Sequence, residues 1–586
     1  MYLHNSHDHL YREPAGPAKA GENVIFRFRA DAAEEVVLRT WMGEERGFPM
    51  ERAGHGFWHV QVEMPKTPGL YWYDFIIYQA GGQILRYGAP EDGLGGEGHL
   101  YNHDLHSFQL TIYDPAFTTP AWMHGANIYQ IFPDRFCKAE TASVDPRTDR
   151  PMHQSWDEDF FPNDPKVNGS RECWGGNLNG IREKLPYLKD LGTDVLYLNP
   201  VFEAFSNHRY DTGDYTKVDA LLGTEEELKA LFEEARAMGI HVMLDGVFSH
   251  TGDDSIYFNA FGHYSSLGAA QSRRSRYYKW YTFEHWPDKY RCWWGVKCMP
   301  ELRKDEPTYR KFMFDPKNGI VPRWLRAGAS AWRLDVADEL TMDFLRELRR
   351  SAKAEKPDAV VLGEVWEDAS NKIAYDELRC YCTGDTLDSV MNYPLREAVL
   401  AFVSGEMKAD AFVRAVHHQA EVYPVPFLYS LMNMLGSHDR ARALNVLCGK
   451  ECKDMPKAEA AKVRLTHSEY DLAVKRYKAA LDLLCALPGC PMIYYGDEAG
   501  LTGTPDPYCR RPFPWGKEDK ALQSYVRAKL NHRRASPVLQ TGLCEIEAVG
   551  SHSVRIRRYM QDGVDAFGEA VTASGEEVFT VSAVLE

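Results

Sequence analysis

No stretch of the 586 residues is apolar over the roughly 20 positions needed to cross a bilayer, so nothing argues for a membrane-spanning helix or a membrane partner. Positive charge is also scarce, with 68 Lys and Arg against 84 Asp and Glu and a formal net charge of −16. A chain of that sign lacks the cationic footprint that phosphate backbones demand, which argues against nucleic acid as a partner. Cysteine is unpatterned: twelve thiols are scattered, and neither Cys292 with Cys298 nor Cys380 with Cys382 has a zinc-binding spacing. Reduced thiols are the expectation. The segment from Met1 to His9 has no basic start and no apolar core, so no secretory signal is legible and a cytoplasmic location is expected. Internal repeats and low-complexity tracts are missing as well.

What is present is length and aromatic content. The chain is too long for one compact core, which implies a large domain with smaller modules, and 12% of it is aromatic, including 14 Trp and 32 Tyr. From about Gly21 to Tyr113 short runs alternate apolar and polar residues between Gly and Pro punctuation, as in Leu70 to Tyr78, which predicts a β-sandwich over residues 1–118. Past Pro120 the pattern changes. The apolar run Asp194 to Leu198, a helix-like Thr224 to Met238 and a second run from Ile240 to Asp245 imply parallel strands joined by helices. Extended over residues 119–515, that alternation fits an α/β fold of the (β/α)8 barrel type. Between about 250 and 307 the periodicity lapses into an aromatic-rich excursion, read as a domain inserted after the third strand. Residues 516–586 read as the last barrel helix and a short β module.

Four polar clusters follow the apolar runs: Asp245-Gly-Val-Phe-Ser-His250, Arg333-Leu-Asp335, Gly363-Glu364-Val-Trp366 and Ser437-His438-Asp439. Barrel enzymes place their chemistry at the C-terminal ends of strands. One Asp after a strand is commonly a helix cap, but four such clusters in order point to a site. Arg333 and Asp335, two residues apart on a strand, share a face, and a fixed guanidinium there holds its neighbour ionised.

In order and spacing the four clusters resemble the signature regions of the α-amylase superfamily. Met299-Pro300-Glu301-Leu302 resembles the extra signature on the neopullulanase side, and the segments Asn127 to Phe136, Ser206 to Tyr215 and Tyr494 to Gly500 are similar to barrel strands one, two and eight of the neopullulanase, cyclomaltodextrinase and maltogenic amylase group. The resemblance covers about residues 120 to 515. It implies a retaining glycoside hydrolase, with Asp335 as nucleophile, Glu364 as general acid/base and Asp439 as the carboxylate that binds the 2- and 3-hydroxyls of the sugar at the cleaved bond. It further implies that His438 and His250 hydrogen-bond that sugar, that His208 supplies a hydroxyl ligand and Tyr210 a stacking ring, and that Asp245 supports Arg333. Val365 and Trp366 help exclude water, and Glu364 needs a raised pKa to meet the leaving oxygen protonated.

Many relatives bind calcium after the first strand through an Asn- and Asp-rich stretch. Here Cys137-Lys138-Ala139-Glu140 follows Phe136 and Asn177 stands after Gly176, a set poor in hard oxygen ligands. No cofactor and no structural calcium is the expectation. The N-terminal module, with Phe57-Trp58 and Tyr71-Trp72-Tyr73, resembles the starch-binding-type domain of this group, which implies a homodimer and substrates such as cyclodextrins, pullulan and maltooligosaccharides. The residues leave α-1,4 against α-1,6 preference open, and hydrolysis against transfer. An α-glucan glycosyltransferase of the branching or cyclodextrin-forming type is the second reading. A non-catalytic glucan-binding or transport-accessory relative is the third, since membership of a fold does not establish activity.

Overall fold

The computed structural model describes residues 1–139, 150–160, 170–572 and 575–585. At its centre eight short parallel strands form one sheet: Ile128–Ile131, Val195–Leu198, His241–Gly246, Ala331–Leu334, Val360–Gly363, Ser389–Val390, Met432–Met434 and Cys490–Tyr494. Each pairs with the next in sequence up to the sixth, and the first pairs with the eighth. A parallel bridge from Met391 to Met432 closes the remaining gap between strands six and seven. The sheet is a (β/α)8 barrel. Nearly every strand residue is buried, because one side fills the barrel and the other packs on helices, and this explains why the strands read as continuous apolar runs.

Helices follow where turn chemistry allows them. Glu225–Ala237 starts at Thr224, whose side chain accepts from Glu227 N while the Glu227 side chain accepts from Thr224 N, a reciprocal cap. The sequence reading of this helix was accurate to one residue at each end. The closing helix, Lys520–Ala535, begins at Asp519.

Strand register positions the chemistry. Asp245 lies beside Arg333, and Gly246, Leu334 and Gly363 form one layer across strands three, four and five. Asp335 and Glu364 are therefore the next residues past the sheet on adjacent strands, pinned by Asp335 N to Gly246 O at 3.1 Å and Glu364 N to Leu334 O at 2.9 Å.

The excursion after strand three holds a two-stranded ribbon, Phe283–His285 with Lys289–Tyr290, packed through Phe258, Tyr281 and Tyr290. Its end folds back on its start: His250 bridges Glu301, and Leu302 N donates to Ser249 O at 2.9 Å. That return brings the Met299-Pro300 segment beside the first polar cluster.

Ahead of the barrel, strands from Tyr2 to Tyr113 make two antiparallel-dominated sheets around a shared core of Phe26, Phe28, Tyr73, Phe75 and Phe108. They dock on the barrel through buried Glu421, which pairs with His7 Nε2 at 3.0 Å and Arg12 Nη1 at 3.5 Å. Three strands, Leu543–Ala548, Ser553–Tyr559 and Glu576–Ser582, complete the C-terminal end. All twelve cysteines are free thiols. Among the described residues, no helix is long and apolar enough to cross a membrane.

Candidate active site

One buried guanidinium organises the C-terminal mouth of the barrel. Arg333 Nη1 donates to Asp245 Oδ1 at 2.8 Å and Oδ2 at 3.0 Å and to Asp335 Oδ1 at 2.9 Å, while Nη2 lies 2.7 Å from Glu364 Oε2. Three carboxyls from three adjacent strands thus share a single planar cation, whose fork of donors makes this geometry available to Arg and not to Lys. Asp245 is further tied by the hydroxyls of Tyr197 at 2.7 Å and Tyr210 at 2.8 Å.

Glu364 is held at both oxygens: Oε2 also accepts from Val336 N at 2.9 Å, and Oε1 accepts from Trp366 Nε1 at 3.0 Å. Val336, immediately after Asp335, has φ 39° and ψ 70°. For a β-branched residue that is a strained left-handed conformation costing about 1–3 kcal/mol, of the kind that clusters at functional sites. The strain aims Val336 N–H at the Glu364 carboxyl.

Across the cleft, Asp439 Oδ2 lies 3.2 Å from His438 Nε2 and Oδ1 lies 3.5 Å from Arg510 Nη2. Gln130 Nε2 donates to His438 Nδ1 at 3.0 Å, so the neutral ring carries its proton on Nε2, 2.6 Å from the Tyr210 hydroxyl. Burial drives the His438 pKa far below its ordinary value, with Arg510 and Arg333 adding to the shift. His208 is neutral for the same reason, burial first and Arg510 second, and its Nδ1 accepts from Tyr210 N at 3.1 Å. His250, lowered to about 3 chiefly by burial, uses both ring nitrogens inside the protein, with Ser249 Oγ at 2.8 Å and Tyr210 O at 3.0 Å. All ten residues singled out in the sequence meet at this mouth. Eight line one cleft of about 820 Å³, with Arg333 and Asp245 beneath it.

Asp335 and Asp439 both lie in a field of neighbouring negative charge. Burial raises the pKa of Asp335 well above the carboxylate range, opposed by Arg333 and reinforced by Glu364, Asp245 and Asp439. Asp439 is pushed up to about 7, by burial and then by Glu364. At Asp335 burial outweighs the Arg333 guanidinium, which the sequence alone had suggested would hold its neighbour ionised.

A stability prediction follows. In the unfolded chain Asp439 titrates near ~3.9, so its contribution to folding is complete below that pH and is lost as pH rises through about 7. Asp439→Asn removes the loss. Since the Asp439 side chain is 29% exposed, solvent screens the effect, and we expect a gain of about 1 kcal/mol at pH 8 that shrinks towards pH 5. Thermal unfolding of both proteins at the two pH values checks this; equal midpoints at pH 8 would contradict it.

Several residues here escaped the sequence reading. Tyr197 and Asn199 carry no motif signal of their own, and Gln130, although inside the Asn127 to Phe136 segment, was not singled out; Asn199 Nδ2 donates to Tyr210 OH at 2.9 Å. Arg510, in the loop after strand eight, donates from Nε to His438 O at 2.9 Å and pairs with Asp506 at 2.7 Å. Its only hint was a basic residue in an otherwise unremarkable loop.

Among the described residues, Asn177 and Lys138 bear on the calcium expectation. Asn177 spends its carboxamide oxygen capping a helix, accepting from Gly180 N at 2.8 Å, and the Lys138 ammonium lies close beside Gly175. Glu140 lies outside the described residues.

Residues 130–536 match the family model described as Alpha amylase, catalytic domain. An amylopullulanase from Thermoanaerobacter thermohydrosulfuricus is 37% identical over 97% of this chain, and the chain spans 41% of that protein's length. A cyclomaltodextrinase from Geobacillus thermopakistaniensis is 33% identical over 84% of this chain and 76% of its own. Among solved structures, the cyclic alpha-maltosyl-(1→6)-maltose hydrolase from Arthrobacter globiformis, in complex with cyclic alpha-maltosyl-(1→6)-maltose, aligns over 76% of this chain and 90% of its own at 30% identity, with a TM-score of 0.64. The chain belongs to the alpha-amylase family of glycoside hydrolases, in the group whose members are named neopullulanase, cyclomaltodextrinase and maltogenic amylase.

Proposed function

We propose that the chain hydrolyses α-glucosidic bonds with net retention, Asp335 acting as nucleophile and Glu364 as general acid/base. The observation that carries this reading is the Arg333 guanidinium, which ties both carboxyls to the ends of neighbouring strands at 2.9 and 2.7 Å. In this scheme Glu364 gives its proton to the glycosidic oxygen as Asp335 attacks the anomeric carbon. A β-glucosyl ester on Asp335 results, and the leaving sugar departs with the proton. Glu364, now a carboxylate, takes a proton from water, whose oxygen attacks the same carbon and releases Asp335. A sugar hydroxyl in place of that water gives transglycosylation.

Asp439, with His208, binds hydroxyls of the sugar at the cleaved bond, and Tyr210 offers its ring; His438, whose two ring nitrogens are engaged by Gln130 and Tyr210, positions Asp439 beside it. His250 shapes the floor of the cleft, since its nitrogens are engaged, and Asp245 supports Arg333. Trp366 keeps water from Glu364 on one side.

On substrate, we infer short or cyclic α-glucans: cyclodextrins, pullulan and maltooligosaccharides. The names of the relatives support this, and we infer that the N-terminal module, residues 1–118, pairs in a homodimer that restricts the cleft. Rates on β-cyclodextrin, pullulan and starch under matched conditions test it. Faster turnover of β-cyclodextrin than starch by a protein that sediments as a dimer is expected. A monomer that still rejects starch would contradict the dimer account, and equal rates would contradict the substrate reading.

A further inference from the structure

Two large rings at the mouth of the cleft are neither packed into a core nor used by the mechanism. Trp294 is 74% exposed and Tyr375 is 60% exposed, yet both line the cleft. They come from different loops. Trp294 lies in the excursion after strand three, and Tyr375 sits at the tip of a ribbon after strand five, Lys372–Ala374 with Glu377–Arg379.

Both rings are held. Trp294 Nε1 donates to Glu339 Oε1 at 2.9 Å, and the Tyr375 hydroxyl donates to the same oxygen. Glu339 is four residues past Asp335, so a third loop joins the other two. The ribbon is anchored at its base, where Lys372 Nζ pairs with Asp338 Oδ2 at 2.6 Å and with Glu367.

Both also occupy backbone conformations that side chains avoid. Trp294 has φ 46° and Tyr375 φ 52°, with Asp376 at φ 59° making the second half of a left-handed two-residue turn. Glycine or asparagine is the relaxed choice at such positions. An aromatic residue there gains almost no burial to offset the strain, so the fold exposes each ring at a cost. Exposed rings in a fixed orientation suit the apolar faces of sugars, since a rigid aromatic loses little entropy on stacking.

Their side of the cleft follows from the loops that carry them together with the roles proposed for Glu364 and Asp439. On that hydrolase reading, Asp439, His438 and Arg510, which contact one another, face the sugar that becomes attached to the enzyme. Glu364 faces the leaving oxygen, and Asp338, Glu367 and the ribbon extend from the loops that follow Asp335 and Glu364. We propose that Trp294 and Tyr375, tied together through Glu339, form an aromatic clamp for glucose units on the leaving-group side, beyond Trp366, and so determine preference for chain length. The proposal rests on the hydrolase reading above for the direction of the substrate.

Two measurements test it separately from that reading. In a Glu364→Gln background, adding Trp294→Ala or Tyr375→Ala should weaken equilibrium binding of maltohexaose about tenfold, while Trp294→Phe, which keeps a ring, should recover most of the affinity. In the otherwise unaltered enzyme, Trp294→Ala should raise KM more than it lowers kcat, and its loss in kcat/KM should grow from maltotriose to maltohexaose by at least fivefold. Binding within twofold of the parent in both alanine variants, or a loss that is the same at every chain length, would overturn the clamp. Weakened binding in a protein whose unaltered form hydrolyses no glucan would leave the clamp standing and sink the hydrolase reading instead.

Discussion

Asp335→Asn should lower turnover of maltotriose by at least about 10⁴-fold while the protein stays folded. The amide fills the same volume and can still receive the Arg333 Nη1 hydrogen bond on its oxygen, but it cannot form the glucosyl ester. Stability should hold or rise. Burial and three neighbouring carboxyls all act against the Asp335 charge, and only Arg333 relieves it. Circular dichroism and initial rates on one preparation check both halves, and a variant within tenfold of the unaltered enzyme would remove Asp335 from the role of nucleophile.

Glu364→Gln should behave differently depending on the leaving group. On maltooligosaccharides, whose departing oxygen needs a proton, we expect a loss of about 10³-fold or more. On α-maltosyl fluoride, where fluoride departs without protonation, the first step should be nearly spared and the second, which needs a base, should limit the rate. The dependence on leaving group separates an acid/base from a residue that merely shapes the site. Oε2 of Glu364 also contacts Arg333 and Val336 N, so a purely structural loss would fall equally on both substrates. Equal losses would assign Glu364 to scaffolding.

The barrel and the candidate site at its mouth were legible because each depends on local pattern. Short apolar strands announce themselves when both faces are buried; Asp245 and Arg333 lie within such runs, Asp335 and Glu364 directly follow them, and His438 and Asp439 come a few residues after Met434. Register did the rest. Once Asp245 lies beside Arg333 and Leu334 beside Gly363, Asp335 and Glu364 have nowhere else to go. Residues recruited from loops gave no such signal. Arg510 approaches His438 from 72 positions away, and Trp294, Glu339 and Tyr375 meet only because three loops converge. The engagement of His250 with Tyr210 O was equally hidden, since it depends on how the loop Ser206 to Tyr210 folds over strand three.

Stereochemistry tests the central claim most directly. If Asp335 carries the glucosyl group and Glu364 works first as acid and then as base, two inversions leave the new reducing end in the α configuration. Early-time proton NMR of the reaction on β-cyclodextrin or maltotriose, read before mutarotation, should show the α-anomer first. Appearance of the β-anomer first would mean a single displacement by water, and would contradict the roles of Asp335 and Glu364 together.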